Sequence, residues 1–190
     1  MLLACVFTMP LLPPASANQS TAITLPELMH MLAEVKEAGG RFTERKYLSI
    51  LSEPLVLEGS VHYRAPDYMK KEYDDPDSES YEVKGENLII EYPDGRRRDL
   101  SIDEHPVLRA FVESYRATLA GDADTLERYF SLELSGDVND WELRLTPRLA
   151  QLADYLDAVI MRGHGNSVYS VETVETSGDR SVMTVDVPAQ

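Results

Sequence analysis

Between residues 41 and 187 the chain is cut into short β-like segments by tight turns, and one strong amphipathic helix splits the series near its middle. Arg41 to Ile50 is rich in Phe, Thr, Tyr and Ile, and Leu55 to Arg64 places Leu55, Leu57, Val61 and Tyr63 on odd positions around Gly59. Pro66 interrupts, and Tyr68 to Tyr73 resumes the pattern. Tyr81 to Val83 and Asn87 to Tyr92 flank the hairpin turn Lys84-Gly85-Glu86, and Pro93-Asp94-Gly95 returns the chain as Arg96 to Ile102. Phe130 to Leu134 and Trp141 to Leu145 flank a loop at Gly136 to Asp140, and Tyr155 to Arg162, Val168 to Thr176 and Ser181 to Val187 supply three more segments. Short strands joined by tight turns predict a meandering antiparallel sheet.

The helices carry their own signals. Thr24-Leu25-Pro26-Glu27 has the form of a capping box, and Leu25, Leu28, Met29, Leu32 and Val35 follow at helical spacing up to Gly39-Gly40. The central helix shows Val107, Leu108, Phe111, Val112, Tyr115 and Leu119 on one stripe, with Asp103 or Ser101 as its expected cap and Gly121 as its stop. Asp122 to Arg128 reads as one or two further helical turns, and Pro147 to Ala153 as irregular or helical. Leu149, Leu152, Leu156, Val159 and Ile160 fit a helix as well as a strand. With no repeat and no linker, residues 18–190 are expected to form a single domain.

The first residues read as an export signal. Met1 to Leu12 is an uncharged apolar run, and Ala15-Ser16-Ala17 is a small-residue cleavage site, so residues 1–17 are expected to be removed on export to the periplasm. No Lys or Arg precedes the run, which leaves open a start further upstream. Cys5, the one cysteine, follows Leu2-Leu3-Ala4 as in a lipobox but stands before most of the apolar run. Cleavage after Ala17 leaves a mature chain without a thiol, excluding a thiolate nucleophile or metal site.

A formal net charge of -15 argues against nucleic acid and against direct docking on anionic lipid. No nucleophile elbow, phosphate loop, dinucleotide fingerprint or zinc-protease motif is present. The four histidines, His30, His62, His105 and His164, are never four residues apart. Asp74 to Glu79 clusters oxygens but lacks the glycine and distal glutamate of a calcium loop. Arg96-Arg97-Arg98 reads either as a sheet-edge gatekeeper or as a contact for a partner or headgroup. Ser60 with His62 is the only near pair for a hydrolase, and no third member accompanies it.

Several short motifs then fall in a telling order: Phe42-Thr43-Glu44, Pro54-Leu55, Gly59 to Pro66, Gly85 with Leu88 to Pro93, Trp141 to Pro147, and Gly178 to Ser181. The whole resembles the periplasmic outer-membrane lipoprotein carrier family, in its divergent LolA-related branch. That resemblance implies an α+β fold: an unclosed, strongly curved antiparallel half-barrel with amphipathic helices over its concave face. It implies a monomeric carrier that holds lipid or lipoprotein acyl chains, received from an inner-membrane exporter and passed to an outer-membrane acceptor, with neither cofactor, metal nor reaction. Strand alternation and the match to the family turn Val61, Tyr63 and Ala65 toward the cavity, with Val83, Leu88 and Ile90 beside them and Met69 as adaptable packing. Leu108, Phe111, Val112 and Tyr115 form the lid stripe. In the family an arginine directly before the strand-ending proline ties sheet to lid; here that place holds Ala65, and Arg64 one place earlier points to the other face. Two alternatives stay open: a binding or scaffold protein with a filled core, and a lipid-anchored acceptor built on Cys5.

Overall fold

The computed structural model describes residues 22–186, so the export signal, Cys5 and Val187 lie outside the described residues. Helix α1 (Leu25–Ala33) opens the fold and is followed by β1 (Glu37–Tyr47), β2 (Leu55–Arg64), β3 (Tyr68–Tyr73), β4 (Ser80–Lys84), β5 (Asn87–Glu91) and β6 (Arg97–Ser101). Helices α2 (Pro106–Ala120) and α3 (Ala123–Tyr129) then lead to β7 (Phe130–Asp137) and β8 (Asp140–Pro147). The short α4 (Ala150–Ala153) precedes β9 (Leu156–His164), β10 (Ser167–Glu175) and β11 (Arg180–Val185).

All eleven strands join one sheet in the order β6-β5-β4-β3-β2-β1-β11-β10-β9-β8-β7, and every pairing is antiparallel. Two meanders meet where β1 pairs with β11, and the edge strands β6 and β7 do not pair with each other. The result is the open α+β half-barrel that the resemblance implied. The β7 edge is partly covered: Ala22 bridges Asp137, and the Ile23 N–H donates to the Gly136 carbonyl at 3.2 Å.

Side-chain alternation sorts the sheet into two faces. On the outer face, charged residues pair across strands, as in Arg162 between Glu142 and Glu172. On the inner face the helices bury their apolar sides, and the core separates into two clusters. One gathers Leu28, Met29 and Leu32 of α1, Ala110 and Ala117 of α2, and Leu126 of α3 against Trp141, Leu143, Leu145, Val159 and Met161. The other gathers Val83, Leu88 and Ile102 against Val112 of α2. Among the described residues only α2 contributes to both.

Several local expectations change. Helix α1 keeps its Thr24–Glu27 box, with the Thr24 N–H donating to Glu27 Oε2 at 2.9 Å, but ends at Ala33. Gly39 and Gly40 stand inside β1, where carbonyls of neighbouring backbone would lie 2.6 Å from a Cβ. Helix α2 is capped by neither Asp103 nor Ser101. Pro106 fixes its first turn, which makes His105 the cap position, and no side chain bonds there. Asp103 pairs with Arg109 instead. The turn between β7 and β8 is only Val138-Asn139, and the ambiguous run resolves into α4 up to Ala153 and a strand from Leu156.

Candidate functional site

The inner face of the first meander is laid out in rows. Tyr63, Met69, Val83, Leu88 and Leu100 stand opposite one another on successive strands β2 to β6. Two residues along, Val61, Lys71, Tyr81, Ile90 and Arg98 form the next row. Met69, Ile90 and Leu108 pack around the cluster of Val83, Leu88 and Val112. Tyr63 is buried, and its hydroxyl has no hydrogen-bond partner among the described residues. Ala65 stands past the end of β2, in the turn to β3, and is half-buried.

Between the two core clusters lies a cleft of about 940 Å³. One wall is Arg98 and Leu100 of β6, His105, and Val107, Leu108 and Phe111 of α2. The other is Leu152, Asp154, Tyr155 and Leu156 around the start of β9, with Thr173 and Glu175 of β10 and the Thr176–Ser177 turn. Of the expected cavity residues, Leu108 and Phe111 border this cleft, while Met69, Val83, Leu88, Ile90 and Val112 pack beside it in the second cluster. Phe111 meets the Tyr115 ring edge-on at 5.3 Å, and the Tyr115 hydroxyl shares a hydrogen bond of 3.3 Å with Thr173 Oγ1. Tyr115 therefore links α2 to the second meander.

A polar group sits where the two meanders meet. Glu44 of β1 is buried; it accepts hydrogen bonds from Lys71 Nζ at 2.8 Å, from the Tyr73 hydroxyl at 2.8 Å and from Ser181. Burial opposes its ionisation, but the Lys71 ammonium and these hydrogen bonds prevail and hold the carboxyl below the ordinary glutamate value. Burial pushes the Lys71 ammonium down, and burial beside Glu44 pushes the Tyr73 hydroxyl up. The alternation of Phe42 and Glu44 in β1 was the available signal for this group, but its partners come from β3 and β11, far away in the chain.

Helix α2 has its own tether to the sheet. Arg116 of α2 donates to the Gly85 carbonyl in the β4–β5 turn at 2.8 Å and pairs with Glu113, while Arg109 reaches Glu86 at 3.2 Å. An arginine thus runs from helix to sheet. Arg64 is exposed and lies over the Tyr68 ring at 4.8 Å.

The remaining polar candidates sit outside the cleft. His62 meets Glu37 at 3.2 Å and is not hydrogen-bonded to Ser60. Asp74 pairs with Arg41, and Asp75 accepts from the Asp77 N–H at 2.9 Å. Among the described residues no three His, Cys, Asp or Glu side chains gather as a metal site.

The family model described as "Outer membrane lipoprotein carrier protein LolA-like" matches residues 17–187. Among solved structures, a LolA superfamily protein from Nitrosomonas europaea is similar at 10% identity, covering 87% of this chain and 92% of that one, with a TM-score of 0.43. A DUF1329 family protein from Desulfovibrio piger is similar at 10% identity, with the same two coverages, 87% and 92%, and a TM-score of 0.46. No curated protein gives a significant match.

Proposed function

Since the chain belongs to the LolA-like family of outer membrane lipoprotein carrier proteins, we propose that it is a periplasmic carrier that shelters acyl chains in the cleft under α2. The observation that carries this reading is the cleft itself, about 940 Å³ between two separately packed cores. It is at the upper end of the size of small-molecule sites, and its walls are mainly apolar. Each methylene withdrawn from water is worth about 0.8 kcal/mol, so a tail of ordinary lipid length gains enough to stay bound in transit.

The space is reached by moving one element. Helix α2 spans both clusters and is tied to the sheet by a few polar contacts, those of Arg109, Arg116 and Tyr115. Lifting it joins the cleft to the row of Tyr63, Met69, Val83 and Leu88, while Val61, Ile90 and Val112 line the enlarged space and Ala65 its rim. Ile50, Leu51, Leu55 and Val56 are exposed around the β1–β2 loop. This apolar tip favours hand-over to membrane-bound partners, an exporter on one side and an acceptor on the other. The carrier works as a monomer on residues 18–190 and needs no cofactor.

Mass spectrometry of protein purified under native conditions, followed by displacement with a fluorescent fatty-acyl probe, tests the reading. Bound acyl lipid or saturable probe uptake is expected. Clean protein that ignores the probe returns the chain to the filled-core scaffold alternative.

A further inference from the structure

The polar side chains of the inner face and of α2 are almost all satisfied. Glu44 takes the protons of Lys71, Tyr73 and Ser181, and Tyr115 shares its hydroxyl with Thr173. Tyr81 donates to Glu79 at 2.6 Å. On α2, Ser114 Oγ donates to the Phe111 carbonyl at 2.7 Å and Thr118 Oγ1 to the Ser114 carbonyl at 2.6 Å. Among the described residues two buried side-chain polar atoms lack a partner, Arg109 Nε and the Tyr63 hydroxyl. Arg109 is still anchored through Nη2 to Glu86 and Asp103. Tyr63 makes no side-chain hydrogen bond, although it is only 4% exposed. An unmet buried hydroxyl weakens the empty fold, and a phenylalanine would fill the same space without that cost.

The surroundings define the missing acceptor. Across the strands Tyr63 is followed by Met69, Val83, Leu88 and Leu100 on one side and by Ala38 of β1 on the other, with no charge among them. Lys71, two residues along β3, is already bound to Glu44. An anion placed at Tyr63 would be buried without a counter-charge, so the acceptor is neutral. Burial pushes the phenol pKa up, and the hydroxyl keeps its proton to donate. A neutral acceptor joined to hydrocarbon is an acyl carbonyl.

The row also has the right ends. Leu100 lines the cleft, four strand steps from Tyr63, or about 19 Å at the usual spacing. That is the reach of an extended tail of ordinary lipid length. At the other end β2 stops at Arg64, one residue past Tyr63, and the chain turns through half-buried Ala65. A carbonyl at Tyr63 therefore leaves its headgroup at this rim and sends its tail along the row into the cleft.

Resting on the acyl-carrier reading above, we infer that the Tyr63 hydroxyl is the donor that holds the carbonyl joining an acyl chain to its headgroup. The site thereby selects acyl esters and amides over alkyl ethers of the same length.

The test titrates purified mature protein calorimetrically with three single-chain lipids of equal chain length: a monoacylglycerol, an N-acylethanolamine and an alkylglycerol ether. The first two should bind roughly tenfold more tightly than the ether, and a gain confined to one of them assigns the linkage. Tyr63→Phe should bring the carbonyl lipids down to the ether level, leave the ether unchanged and keep or raise the Tm of the empty protein. Met69→Ala, beside Tyr63, should weaken all three lipids by the same factor. Equal binding of all three by the wild type, or a carbonyl preference that survives in Tyr63→Phe, overturns the inference and leaves the carrier reading standing. A lower Tm in empty Tyr63→Phe would place the partner of the hydroxyl within the protein and overturn it as well. Failure to bind any of the lipids removes the carrier reading and the inference together.

Discussion

Glu44 and Lys71 meet at 2.8 Å on the inner face although β2 lies between their strands. They reach each other diagonally across Gly59, whose row, Phe42–Gly59–Tyr73, falls between the Glu44–Leu57 and Val61–Lys71 rows. A buried carboxylate is costly unless fully partnered, and this one has an ammonium and two hydroxyls.

This arrangement predicts an acid-sensitive contribution to stability. The folded state holds the Glu44 carboxyl below its unfolded value, so its stabilisation is complete above the ordinary glutamate range and is lost as the pH falls through the folded value. Glu44→Gln should cost about 3 kcal/mol at neutral pH by leaving Lys71 unpaired. The gap between wild type and variant should narrow in urea titrations as the pH is lowered toward 3. A gap that stays constant with pH would show that Glu44 is not ionised in the folded protein.

Gly59 makes that crossing possible. A Cβ there would stand 2.0 Å from the Glu72 carbonyl oxygen and 2.7 Å from the Phe42 ring. Gly59→Ala should therefore destabilise by about 1–3 kcal/mol, since neither backbone nor a buried ring can retreat cheaply. Thermal unfolding followed by circular dichroism measures the loss.

Arg116 is the main polar tie between α2 and the first meander. Arg116→Met removes the bond to the Gly85 carbonyl and strands the buried Glu113, at a cost of about 3 kcal/mol. Adding Glu113→Gln should recover about half of that loss. Hydrogen exchange should quicken in α2 before it does in β8 and β9, whose residues are packed in the larger cluster.

Phe111 borders the cleft and is 37% exposed, so the fold tolerates its replacement. Phe111→Glu should weaken uptake of a fluorescent acyl probe at least roughly tenfold by placing a charge against the tail. Stability should move by less than about 1 kcal/mol. Equal losses of stability and uptake would mean that the residue serves the core alone.

Much of the fold was legible in the chain because its signals are local. The segments Leu55 to Arg64 and Tyr68 to Tyr73 are strands with those same limits, set by alternation and the Pro66 break. Helix α2 ends at Gly121, as expected, because the chain there needs the left-handed conformation at φ 69°. The cap of α2 was misread because Asp103, a good capping residue in isolation, is drawn to Arg109. The far wall of the cleft was not anticipated. Leu152 and Leu156 fit a helix as well as a strand by spacing alone, and their packing against β8 and α2 settles the boundary between α4 and β9.

Residue order alone determined the meander, the two main helices and the inward rows, since alternation and turn chemistry act over a few neighbours. Tertiary structure decided that the core divides in two and leaves a cleft under α2. It also decided that Glu44 finds Lys71, Tyr73 and Ser181, and that the Tyr63 hydroxyl is left without a partner among the described residues. These outcomes depend on which strands become neighbours after the sheet curves. That choice is made by long-range packing, and no local pattern of side chains encodes it.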